Sequence, residues 1–78
     1  MADSLQNLVR QIMGDVFATD PSSIDEKWRM GTIEQWDSGN HIILVLALEE
    51  EFGVSFDVSE IDTMVSFMDV VSTLKSKL

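Results

Sequence analysis

Between Asp37 and Gly53 the chain reads DSGNHIILVLALEEEFG, a helix that is apolar on nearly every side and bounded by residues suited to its two ends. Asp37 and Ser38 are both good N-caps, because their side-chain oxygens accept N–H groups that a helix start leaves unpaired. Gly53 is the usual residue for a left-handed C-terminal cap. Within the segment His41, Leu44, Leu48 and Phe52 fall on one stripe, while Ile42, Val45, Leu46 and Glu49 fall on neighbouring faces. A helix of this kind is buried on several sides or offers one side to a partner. The chain has 78 residues, and a chain of that size hides only about 60–65% of the surface it exposes when unfolded. A bundle this small has little material to cover every side, so Ile42 and Leu46 are assigned to a partner surface.

The remaining elements follow from periodicity and punctuation. Leu5, Leu8, Val9, Ile12, Met13, Val16 and Phe17 recur at helical spacing, with Asn7, Arg10, Gln11, Gly14 and Asp15 on the other side. That pattern predicts an amphipathic helix over about Ser4 to Ala18. Asp3 with Gln6 forms a capping pair at its start, and Asp20-Pro21 ends it, since the residue before proline is pushed out of helical geometry. From Thr19 to Trp36 no period is sustained, yet Ile24, Trp28, Met30, Ile33 and Trp36 are apolar and pin this long connection to the core. Short turns are expected at Pro21-Ser22-Ser23 and at Gly31-Thr32. A connection of this length in a compact domain is unusual and often functional.

After Gly53, Val54-Ser55-Phe56 reads as extended, and Asp57 with Glu60 caps a short helix through about Asp62. Ser66 with Asp69 opens a last helix, in which Phe67, Val70, Val71, Leu74 and Leu78 keep the period. Lys75 and Lys77 lie at its C-terminal end, where cations are favoured. The expected fold is all-α: a four-helix bundle of three main helices and a short third one, with a long loop between the first and second. Residues 1–78 form one domain.

Composition narrows the function classes. There is no cysteine, which removes disulfides, thiolate metal sites and a cysteine nucleophile and makes the cytoplasm the default location. The N-terminus has no basic n-region, and the longest apolar run, Ile42 to Leu48, is far below a bilayer span. The net charge is −9, which argues against nucleic acid, because phosphate binding needs clustered lysine and arginine. Between Glu34 and Leu74 the acids Glu34, Asp37, Glu49, Glu50, Glu51, Asp57, Glu60, Asp62 and Asp69 stand without one lysine or arginine. Half of the molecule is thus expected to present a negative field, which reads either as a solubility device or as steering toward basic patches on partner proteins.

Ser38 is the residue of interest. A helix start carries unpaired N–H groups and the positive end of the macrodipole, so a serine there can hold a phosphate ester that the fold helps stabilise. Asp37-Ser38 at the head of this helix, LALEEEFGVSF at its tail, and four helices with one long loop are similar to acyl carrier proteins, over nearly the whole chain. The resemblance implies a carrier-type bundle whose Ser38 hydroxyl takes a covalent 4'-phosphopantetheine group from coenzyme A. Asp37 would be the acidic neighbour that helps the phosphopantetheinyl transferase and its magnesium. The chain would be a substrate of that transferase and not an enzyme, with no catalytic residue and no resident metal. Acyl groups held as thioesters on the arm would pass to fatty-acid, polyketide or related enzymes: acyl-transferring, condensing or acyl-activating partners with basic patches. Gly39, Ile42, Leu46, Glu49 and Glu50 would form the partner surface of a cytoplasmic monomer.

Other readings stand beside this one. Taken alone, a serine in this place is an ordinary helix cap. Asp37, Ser38 and His41 contain the letters of a hydrolase triad, but a triad needs an oriented imidazole, an oxyanion hole and a pocket that excludes water. His41, on the core stripe, is read instead as a partly buried structural residue that meets the long loop. Glu49, Glu50 and Glu51 point in different directions from adjacent helical positions, which disfavours a metal site. A peptidyl carrier shares the fold and the arm, and an unmodified helical bundle acting as a binding subunit is a third possibility. Gly39 is the departure from the carrier pattern, which places leucine, isoleucine or methionine after the modified serine. Ile43 is more apolar than the polar residue often found there and extends the contact surface.

Overall fold

The N-terminal periodicity forms helix α1, Ala2–Phe17, in a computed structural model that describes residues 2–78 and the side chains from residue 4 onward. The expected Asp3–Gln6 capping pair lies outside the described residues, because it rests on the Asp3 side chain. Val9, Met13 and Phe17 are buried, and Leu5, Ile12 and Val16 pack partly against them. The helix ends one residue before the expected boundary. Ala18 turns left-handed, with φ 53°, and the Thr19 N–H donates back to the Gly14 carbonyl at 3.0 Å. This closure satisfies an end-of-helix carbonyl, so the stop is made before Pro21 is reached.

Gly14 is not on the solvent side, contrary to the periodicity. It is buried, and a Cβ there would stand 2.9 Å from the Thr19 carbonyl oxygen and 3.0 Å from Pro21 Cγ. The chain leaving α1 folds back over the helix at the one place that has no side chain. Arg10 likewise is half-buried: its Nε donates to the Ile24 carbonyl at 2.8 Å, and its guanidinium lies 4.8 Å from the centroid of the Phe67 ring.

The long connection is pinned as its apolar residues predict. A 3-10 turn, Pro21–Ser23, is capped by Asp20, whose carboxylate accepts the Ser22 N–H at 2.9 Å. Ile24 and Trp36 are buried, while Trp28, Met30 and Ile33 are partly buried. Phe17 meets Trp36 at 5.5 Å and Trp28 at 6.4 Å between ring centroids. Two backbone bonds tie the connection to the far end of the chain: the Met30 N–H donates to Val65 at 2.9 Å, and the Phe67 N–H donates to Trp28 at 2.8 Å.

Three further helices complete the bundle: α2 (Ser38–Phe52), α3 (Val58–Thr63) and α4 (Phe67–Lys77). Gly53 adopts φ 65°, and the Gly53 and Val54 amides both donate to the Glu49 carbonyl. A side chain would strain that conformation, which is why the helix ends on glycine. Asp57 and Glu60 make the reciprocal capping box that starts α3, and Ser66 Oγ accepts the Asp69 N–H at the start of α4. Phe67, Val70, Val71 and Leu74 carry the buried face of α4. Leu78, assigned to that face by period, falls beyond the helix and is exposed.

Among the described residues the architecture is all-helical, four helices with no strand. The radius of gyration is 11.2 Å, against about 11.5 Å for a compact chain of this length. Among the described residues no helix is long and apolar enough to cross a membrane.

Candidate functional site

The start of α2 is built by Asp37, not by Ser38. Asp37 is extended, with φ −98° and ψ 179°, and its Oδ1 accepts the Asn40 N–H at 2.8 Å. Asn40 in turn donates its side-chain amide to the Gln35 carbonyl at 2.8 Å. Ser38 is therefore the first residue of the helix proper. Its side chain is exposed, and its hydroxyl takes no part in capping. The amides of Ser38 and Gly39 have no partner within the helix, since a first turn lacks preceding carbonyls. Gly39 is exposed, and a Cβ there would meet only Asp37 Oδ1, at 3.5 Å.

One turn later, His41 is the buried polar side chain of the described core, at 5% exposure. The Trp36 indole N–H donates to His41 Nδ1 at 3.0 Å. An indole nitrogen is a donor only, so Nδ1 carries no proton, and Nε2–H donates to the Ile61 carbonyl at 3.0 Å. The tautomer is thus fixed by its two partners. The imidazole bridges the long connection, α2 and α3, and is more deeply buried than its sequence position predicts. Both nitrogens are engaged away from Ser38.

Ser38 lies at the rim of a cavity of about 320 Å³ between α2, α3 and the long connection. Ile42 and Ile61 line it with Met30, Val65, His41 and Asp62. Met30 and Val65 are held together by their backbone bond, so the wall opposite Ser38 is set by the pairing of the connection with the α3–α4 turn. Met30, Ile61, Asp62 and Val65 had no local signal that they meet Ser38. Only the apolar character of Met30, Ile61 and Val65 points inward.

The residues assigned to a partner surface divide into two rows. Ile42 and Leu46 are 50% and 59% exposed, and they sit with Glu49 on one side of α2 at helical spacing. Glu49 itself is partly turned inward, where its Oε2 accepts the Phe56 N–H at 2.8 Å and holds the extended Val54–Phe56 segment. Glu50, one turn beyond Leu46, borders both that row and the next. With Ala47 and Glu51 it lines a groove against Ile12, Asp15 and Val16 of α1.

The carboxylates with displaced acidity belong to caps. Asp57 is held below its ordinary value by the Glu60 N–H and the Ser59 hydroxyl. Glu60 is lowered by Lys77, 2.8 Å away, and by the Asp57 N–H. Asp20 is lowered by the backbone N–H and then the hydroxyl of Ser22. At the head of α2, then, an exposed hydroxyl, two free amides and an apolar cavity adjoin a wall fixed by hydrogen bonds. In comparisons with known proteins, neither a family model nor a curated protein matches the chain.

Proposed function

We propose that the protein is an acyl carrier of the cytoplasm, modified on Ser38 by a phosphopantetheinyl transferase that uses coenzyme A. The observation that carries this proposal is the placement of Ser38: exposed, first in α2, and at the rim of an apolar cavity. Because Asp37 does the capping, the Ser38 hydroxyl is free to be esterified without costing the helix a hydrogen bond. The residues fit a phosphate ester there. The Ser38 and Gly39 amides and the helix dipole favour an anion, and Asp37 keeps a second oxygen available to a transferase-bound cation. The arm supplies a thiol on which acyl groups ride as thioesters.

The protein's own part is positioning. Asp37 and Asn40 fix the first turn, and the Trp36–His41–Ile61 bridge keeps the wall of the cavity in place. Ile42, Ile61, Met30 and Val65 offer apolar surface next to the attachment point, suited to the hydrocarbon part of a cargo. The stretch from Glu34 to Leu74, rich in acids and without lysine or arginine of its own, favours acyl-transferring and condensing enzymes with basic patches as partners.

Intact mass spectrometry tests the proposal. After incubation with coenzyme A, magnesium and a broad-specificity transferase, the wild-type protein is expected to gain the mass of one phosphopantetheine, and Ser38→Ala none. Since Ser38 is not the cap, the alanine variant should lose no more than about 0.5 kcal/mol, the low end for N-cap changes. A wild-type protein that gains no mass removes the carrier function and leaves an unmodified helical module. A gain that persists in Ser38→Ala moves the attachment elsewhere.

A further inference from the structure

The groove between α1 and α2 does not include Ser38, and of the residues given to the partner surface above only Glu50 lines it. It has a volume of about 240 Å³, a floor of Ile12, Val16 and Ala47, and a rim of Asp15, Glu50 and Glu51. Two exposed apolar residues extend its rows by one helical turn: Leu8 precedes Ile12, and Ile43 precedes Ala47. Leu8 is 41% exposed and Ile43 53%. Phe17 at the end of α1 meets Trp36, just before α2, in a tilted ring contact, so the two helices run in opposite senses and Leu8 and Ile43 lie toward opposite ends of the groove. The result is an apolar trough about as long as a few helical turns with three carboxylates along its edge.

None of those carboxylates forms an ion pair among the described residues, where the recorded salt bridge is Lys77–Glu60. The Asp15, Glu50 and Glu51 charges therefore stand over exposed apolar surface without compensation. We infer that this groove docks a basic amphipathic helix of a partner protein, its apolar face on Leu8, Ile12, Ile43 and Ala47 and its lysines or arginines against Asp15, Glu50 and Glu51. A helix laid in a groove anchors through side chains one turn apart, which matches the spacing of these rows. A second copy of this chain is the poorer occupant, because it would bring the same acidic rim against itself in a molecule of net charge −9.

The unmodified protein suffices for the test, so the result does not depend on whether Ser38 accepts an arm. The probe is a short synthetic amphipathic helix of leucine and lysine, added to isotope-labelled protein and followed by amide chemical-shift mapping. Shifts are expected at Leu8, Ile12, Val16, Ile43 and Ala47. Glu50→Lys/Glu51→Lys should weaken the probe by about tenfold, with a smaller loss at high salt. Ile43→Gln should weaken it in a salt-independent manner. Glu34→Lys/Asp62→Lys, which makes the same change in net charge elsewhere, should have a lesser effect. Shifts centred on Ile42, Leu46 and Ile61, or equal weakening by the two charge-reversal pairs, would overturn the inference. So would concentration-dependent shifts at the groove in the protein alone, which would make the occupant a second copy.

Discussion

Gly39 gives the sharpest separation between fold and recognition. It is the second residue of α2, exposed, and outside the left-handed region that favours glycine. An added Cβ would touch only Asp37 Oδ1, at 3.5 Å, which is ordinary contact. Nothing in the first turn therefore requires glycine, and its replacement should stabilise the helix by reducing the freedom of the unfolded chain. Glycine costs about 0.5–1 kcal/mol against alanine within a helix. In a domain of this size a gain of that order raises Tm by about 2–8 °C. Gly39→Ala and Gly39→Leu should both show it by thermal melts, since leucine has nearly the helix propensity of alanine. If a missing side chain beside Ser38 limits recognition, Gly39→Leu should also load faster with a broad-specificity transferase, while Gly39→Ala should change loading less. A fall in Tm for both variants would refute the reasoning, because it would mean the turn needs a conformation that only glycine adopts. A rise in Tm with unchanged loading would leave the stability argument intact and remove Gly39 from the transferase contact.

Two further expectations concern the frame around Ser38. The Trp36–His41 bond should appear as a coupling of about 1 kcal/mol in a double-mutant cycle of Trp36→Phe and His41→Leu, read from urea midpoints. Additivity of the two single changes would show that the bond contributes nothing beyond packing. Asp57, Glu60 and Asp20 have lowered folded-state pKa values, so their contribution is complete above the ordinary carboxylate range and is lost as pH falls through the lowered values. The urea midpoint of Asp57→Asn/Glu60→Gln should consequently decline less steeply on acidification than that of the wild type. Parallel declines would assign acid sensitivity to other groups.

Where a structural feature depends on neighbours in sequence, it was legible. The left-handed glycine ending α2, the Asp57–Glu60 box and the Ser66–Asp69 cap each involve residues within one turn, and the residue types announce the geometry. The choice between Asp37 and Ser38 as cap was open, because either side chain can reach the amides. The backbone settles it by placing Asp37 in the extended region and Ser38 in the helix. Arg10, Gly14 and Glu49 were misjudged or left open for a common reason. Their partners are brought near by other segments of the chain: Ile24 and Pro21 by the long connection, Phe56 by the extended segment after α2, and Phe67 by the docking of α4. Polar residues on the outer face of an isolated amphipathic helix become partly buried once a loop crosses over them.

The same distinction bears on the attachment proposed at Ser38. Around it, the polar groups that hold the fold are already committed. Asp37 accepts from Asn40, Asn40 donates to Gln35, and both nitrogens of His41 are bound to the long connection and to α3. Removing any of these would orphan a partner that is buried or part of a helix start, at about 1–3 kcal/mol for a buried group. Ser38 stands within one turn of all of them and holds none. A group esterified there would load no bond that the bundle needs, and its cargo would meet a wall whose position does not depend on the serine. A helix start capped by the serine itself would lack that independence, since each modification would remove its own cap.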